Sequence, residues 1–228
     1  MDPVLRLVII IVQSYLIGSI PTALIISKRF FGSDIRDHGS GNMGSTNVFR
    51  VMGWKLGLTV QVLDILKGFL AVSLVAYFFE SQMPFVNRTP FEDATVVKLI
   101  AGICAVIGHI WSVFANFKGG KGINTSVGLL IAMAPVEVSV AAGIFLLLVV
   151  ASGYVSLGSI AAAVTVPSTM AFRYNVLGVE IHGYHVMVHA FIVLAAIVIF
   201  AHRTNIKRLL AGTESRFSKL QLFRRKAE

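Results

Sequence analysis

Residues 38–50, HGSGNMGSTNVFR, concentrate hydrogen-bonding and anion-binding groups between two long apolar runs. Ser40, Asn42, Ser45, Thr46 and Asn47 bring hydroxyls or carboxamides, and Arg50 brings a guanidinium. Gly39, Gly41 and Gly44 let backbone N–H groups approach a ligand closely. Such a set suits a phosphate, whose oxygens accept from N–H, O–H and guanidinium donors alike. Caps and turns between two helices use many of the same residues, so this stretch alone decides little.

Three further stretches shift the balance. Lys118-Gly119-Gly120-Lys121-Gly122 sets three glycines beside two lysines. It is not a Walker A loop, because Gly122 rather than Ser or Thr follows Lys121, and Ala115 stands where the leading glycine belongs. With Gly122 leading into a helix, a phosphate would meet that helix's N-terminus. Ser156-Leu157-Gly158-Ser159 opens a later apolar run and offers either a phosphate contact or an N-cap with small-residue packing. HRTNIKRLLAGTE begins at His202. Lipid-facing amphipathy would explain its arginines and lysines, but not His202 and Asn205, which lie three apart and share a helix face.

The elements that must hold these groups are membrane helices. The 228 residues are 56% hydrophobic and only 14% charged, with a mean hydropathy of +0.79. Several runs reach the roughly 17–25 residues that cross hydrocarbon, and the alternation of a barrel is missing. The expected fold is therefore an all-α polytopic membrane protein, one transmembrane domain over 1–228. The single cysteine, Cys104, excludes an intrachain disulfide and a cysteine-built zinc site. The net charge of +9 comes from cations that flank the apolar runs, which suits lipid headgroups and topology rather than nucleic acid.

In order, the runs cover about 4–27, 56–79, 95–114, 123–151, 156–172 and 184–201. The first contains GSIPT (18–22), either a proline kink or a site of close small-residue packing. The second carries Asp64 and Lys67 on one face, able to pair and to orient other groups. The third ends at His109 and Trp111, placed near the interface. The fourth is long for one bilayer crossing and has Pro135 near its middle. It divides into a short span (123–134) and a returning one (137–151). Seven spans result. With an external N-terminus they put loops 28–55, 115–122 and 151–156, and the basic tail 202–228, on the cytoplasmic side, gathering most of the 20 Lys and Arg residues there. Six spans would separate the tail's cations from those of loop 28–55. Asn87-Arg88-Thr89 matches a glycosylation acceptor, a pattern too common to weigh.

GSGNMGSTNVFR, FKGGKG and HRTNIKRLLAGTE, in that order, resemble the three signature motifs of the bacterial acyl-phosphate-dependent glycerol-3-phosphate acyltransferases, the PlsY family. GSIPT and YVSLGS (154–159) are similar to that family too, so the resemblance runs over nearly the whole chain. It implies seven transmembrane helices in the bacterial inner membrane, with the active site facing the cytoplasm. It implies transfer of a fatty acyl group from acyl phosphate to the 1-hydroxyl of sn-glycerol 3-phosphate, giving lysophosphatidic acid and phosphate. Neither acyl-CoA nor acyl carrier protein is used directly, and no metal or other cofactor is needed. Contact with the enzyme that makes acyl phosphate is a possible partnership.

By motif position the resemblance gives Ser40, Arg50, Lys121 and Ser156 contacts to phosphate groups, with Thr46 and Asn47 in the same polar pocket. Ser159 can stand in for Ser156. His202 and Asn205 belong to glycerol 3-phosphate and the reacting centre. Gly41, Asn42, Gly119, Gly120 and Gly122 complete the expected phosphate-binding set. Either His202 or the leaving phosphate takes the proton of the attacking hydroxyl.

Rival chemistry finds less support. No histidine is followed by Asp after four intervening residues, so the His-x-x-x-x-Asp device of other glycerolipid acyltransferases is missing. His182, His185 and His189 have helical metal-ligand spacing but fall at the external end of the last run, away from the polar stretches. A small-anion transporter would spread polar motifs through membrane depth. A basic scaffold would leave the glycine and hydroxyl stretches unexplained.

Overall fold

The computed structural model describes residues 2–75 and 91–216. The Asn87-Arg88-Thr89 pattern, the end of the second apolar run and the tail cations from Lys219 onward lie outside the described residues. Every regular element among the described residues is helical, and the chain forms two compact units, 1–133 and 134–228.

In the first unit, α1 (Pro3–Ser19) starts where Asp2 caps it, its carboxylate accepting from the Val4 and Leu5 amides at 2.9 and 3.1 Å. Pro21 ends it, and α2 (Thr22–Phe31) follows. Then come α3 (Ser45–Met52), α4 (Trp54–Leu70, continuing as a π-helical turn over Ala71–Val75), α5 (Asp93–Ile110) and α6 (Ile123–Met133). α1 packs on α5, and α4 on α6. Each crossing carries a glycine from both helices. A Cβ at Gly18 would collide with the Ala105 carbonyl, and one at Gly108 with the Tyr15 carbonyl. Gly68 and Gly128 meet the Thr125 and Ile65 carbonyls in the same way. Small residues of this kind bring membrane helices into backbone contact. GSIPT therefore both breaks the helix and packs it closely.

The second unit holds α7 (Pro135–Ser152), α8 (Val155–Asn175), α9 (Tyr184–Ala201) and α10 (Arg203–Leu210). Gly153, at φ 77°, turns α7 into α8, and an Arg173–Glu137 ion pair ties the end of α8 to the start of α7. Tyr174 stacks on Tyr184 at 3.8 Å and joins α8 to α9.

The break expected at Pro135 is present. Ala134 leaves helical geometry (φ −144°, ψ 60°), as residues preceding proline tend to, and Pro135 takes the first helical position. Among the described residues six segments are long and apolar enough to span a membrane: Val4–Phe31, Trp54–Leu74, Asp93–Ala115, Pro135–Ser152, Val155–Asn175 and Tyr184–Ala201. The Ile123–Met133 helix is apolar but only 11 residues long, so it falls short of that length.

Candidate active site

The first polar stretch is wound around one buried amide. Asn47 is 2% exposed. Its Oδ1 accepts from the Ser40 N–H at 2.8 Å, and its Nδ2 donates to the Ile35 and His38 carbonyls at 3.1 and 2.9 Å. Gly39 adopts φ 60° beside it, and a Cβ there would strike Asn47 Oδ1. Asn47 thus shapes the loop from within, a role its sequence position beside Thr46 did not reveal. Upstream, Asp34 caps the turn Ile35–Asp37 and takes a bidentate ion pair from Arg36, whose Nη1 also donates to the Ala115 carbonyl at 3.0 Å. Side-chain hydrogen bonds from Arg36, working against burial, hold the Asp34 carboxyl down at about 2. Ser40 and Arg50 remain exposed at the two ends of the stretch, with Asn42 and Thr46 half-buried between them.

The glycines of 118–122 do something other than expected. The Gly119 and Gly120 amides donate to the Ile110 and His109 carbonyls at 3.1 and 3.0 Å, closing off the C-terminus of α5. The Gly41 amide likewise goes to His38, at 3.1 Å. These N–H groups are taken and do not form an open nest. Gly119 and Gly120 are needed instead for close contact, since a Cβ at either would collide with His109. Gly122, at φ 82°, leads directly into α6 as the spacing predicts, with Lys121 half-buried just ahead of it.

Both stretches meet within the first unit. Asn124, in the first turn of α6, donates to the Ser45 hydroxyl in the first turn of α3 over 2.9 Å. Two helix N-termini side by side repel through their unpaired N–H groups, and an anion relieves that repulsion. Behind the second stretch lies a charged cluster whose pairing is legible from the three-residue spacing of Asp64 and Lys67, 2.9 Å apart. His109 completes it. It is only 4% exposed, buried within the protein.

In the second unit the organising residue is Glu214, the last of the HRTNIKRLLAGTE stretch. Its Oε1 accepts from Ser156 Oγ at 2.8 Å and Asn205 Nδ2 at 2.6 Å, and Oε2 from Arg208 Nε at 2.6 Å. Burial pushes its carboxyl up, but the hydrogen bonds from Arg208, Asn205 and Ser156 together carry it below the usual glutamate range. Ser156 therefore gives its one hydroxyl proton to Glu214, while Ser159, 4% exposed, lies three residues on along α8. His202 sits at the junction of α9 and α10, 2% exposed, with Nδ1 2.8 Å from the Val198 carbonyl. A carbonyl only accepts, so Nδ1 carries a proton and Nε2 is the ring's other nitrogen. Asn205 shares this turn and is 4% exposed.

Residues 8–212 match the family model described as glycerol-3-phosphate acyltransferase. The glycerol-3-phosphate acyltransferase of Chlorobium phaeobacteroides (strain BS1) is 46% identical, the alignment covering 92% of this chain and 96% of that one. That of Chlorobaculum tepidum is 47% identical, covering 92% and 95%. Among solved structures, the glycerol 3-phosphate form of PlsY (YgiH), an integral membrane glycerol 3-phosphate acyltransferase, superposes with a TM-score of 0.76 at 34% identity, covering 94% of this chain and 96% of that one. The lysophosphatidic acid form of PlsY gives 0.74 at 33% identity, covering 94% and 97%.

Proposed function

This chain belongs to the glycerol-3-phosphate acyltransferase family, and from that premise we propose that it moves a fatty acyl group from acyl phosphate to the 1-hydroxyl of sn-glycerol 3-phosphate. The products are lysophosphatidic acid and inorganic phosphate. The observation that carries the reading is the joining of α3 and α6 through Ser45 and Asn124, which sets two helix N-termini beside Lys121 in a membrane protein.

The hydroxyl oxygen attacks the acyl carbonyl carbon, the bond from that carbon to the phosphate oxygen breaks, and phosphate departs with the electron pair. Because phosphate leaves readily, no acyl-enzyme is required. Ser40, Arg50 and Lys121 hold the negative charge of the phosphate groups, and charge-assisted donors of this kind gain most where charge builds at the transition state. Asn42, Thr46, Gly41, Gly119, Gly120 and Gly122 shape that surface, and Ser156 or Ser159 with Asn205 serve the same reaction. His202 presents Nε2 to the substrate hydroxyl. The Val198 carbonyl orients its ring, and the departing phosphate takes the proton of the attacking hydroxyl.

We also propose that the Ile123–Met133 helix is a seventh, short crossing in a bacterial inner membrane. That puts residues 28–55, 115–122 and the tail on the cytoplasmic side. Full-length protein purified in detergent tests the activity. Phosphate should be released from palmitoyl phosphate only when glycerol 3-phosphate is added. Anion transport into vesicles without acyl transfer would contradict it.

A further inference from the structure

His109 stands between two groups that the reaction above does not use directly. On one side, its Nδ1 lies 3.6 Å from Asp64 Oδ1. Asp64 is itself fixed, accepting from Thr22 Oγ1 at 2.6 Å and pairing with Lys67 Nζ at 2.9 Å. Lys67 in turn donates at 2.9 Å to the Ile20 carbonyl, at the break before Pro21. On the other side, the ring's Nε2 occupies the place a Cβ on Gly120 would need, and the His109 carbonyl takes the Gly120 N–H at 3.0 Å.

Stability alone is a poor explanation for this arrangement. Asp64, Lys67, His109 and Thr22 are all at most 8% exposed. Buried charges are costly to hold in a membrane protein, and apolar replacements often serve a fold as well or better. Asp64 Oδ2 and His109 Nδ1 also lack hydrogen-bond partners among the described residues, which an arrangement selected for stability would avoid. The cluster does abut the backbone that carries Lys121.

We propose that His109 is a positioning residue: its ring is a strut between the Asp64–Lys67–Thr22 cluster and Gly120. The strut sets the height of the 118–122 loop and so the place of the Lys121 ammonium at a phosphate. The inference rests on the reading of Lys121 as a phosphate grip. It also accounts for GSIPT, whose break supplies both the Ile20 carbonyl and Thr22.

Full-length His109→Asn, Gly120→Ala and the double variant, in detergent, test it through inorganic phosphate binding by calorimetry, acyl transfer and thermal unfolding. Asparagine can still reach toward Asp64 but withdraws from Gly120. Each single variant should weaken phosphate binding roughly 3- to 30-fold. The double variant should bind phosphate more tightly than Gly120→Ala alone, because the added methyl no longer meets the ring. Additive losses, or single variants that bind phosphate like the wild type, overturn the proposal. If His109→Asn does not fold, His109→Gln decides. Its amide reaches as far as Nε2, so affinity within about threefold of wild type supports the strut, and a larger loss overturns it. A wild type that transfers no acyl group, yet whose phosphate binding still depends on His109, contradicts the acyltransferase reading and leaves this one standing. Wild-type turnover with phosphate affinity indifferent to His109 does the reverse.

Discussion

Asn124 donates to the Ser45 hydroxyl over 2.9 Å, joining two helix starts that lie 79 residues apart in sequence. The contact brings the glycine stretch at 38–50 together with the one at 118–122 and places Lys121 at the join.

If Lys121 stabilises charge on the departing phosphate, Lys121→Ala should lower turnover by roughly 10²-fold, as removal of a transition-state donor does elsewhere. Steady-state kinetics on palmitoyl phosphate checks this, and near-normal turnover would remove Lys121 from the mechanism.

Asn47 makes a sharper test of the loop. Asn47→Ala strands three backbone partners, at about 1–3 kcal/mol for each buried group left unsatisfied. Asn47→Asp should be worse, although it is closer in shape, because it turns a carboxylate oxygen toward the Ile35 and His38 carbonyls. Thermal unfolding ranks the two, and an aspartate variant as stable as wild type would contradict the assignment.

The expected division between legible and hidden features follows from range. Runs of apolar residues predict the helices, Pro135 and Pro21 predict the breaks, and Gly122 predicts the start of α6, because each acts on its own neighbourhood. The Asp64–Lys67 pair is local too. Hidden were contacts between distant segments: Asn124 with Ser45, and Ser156 with Glu214. The direction of the glycine amides was hidden for the same reason. Gly119 and Gly120 look alike whether their N–H groups face a ligand or close a helix end, and only the return of the loop onto His109 and Ile110 distinguishes the two.

Glu214 gives a pH signature. Its carboxyl titrates below the ordinary glutamate value, so the charged form contributes stability that is fully present above that value. The contribution fades as pH falls through the lowered folded value. Glu214→Gln should therefore melt lower than wild type near neutrality, by about 2–4 °C per kcal/mol lost, and the gap should close in acid. A gap that is constant from neutral to acidic pH would show that the charge plays no part.

His202→Ala should lose less turnover than Lys121→Ala if the leaving phosphate accepts the proton. The pH–rate profile of His202→Ala would then keep the wild-type shape. Disappearance of a histidine-like limb in that variant would assign the proton to Nε2 of His202 instead.

The most direct test of the central claim is mass-spectrometric identification of the lipid formed by purified full-length protein. Given palmitoyl phosphate and sn-glycerol 3-phosphate, the account predicts 1-palmitoyl lysophosphatidic acid, with one phosphate released per product and none formed from palmitoyl-CoA. No lysophosphatidic acid from palmitoyl phosphate, or equal product from palmitoyl-CoA, would contradict it.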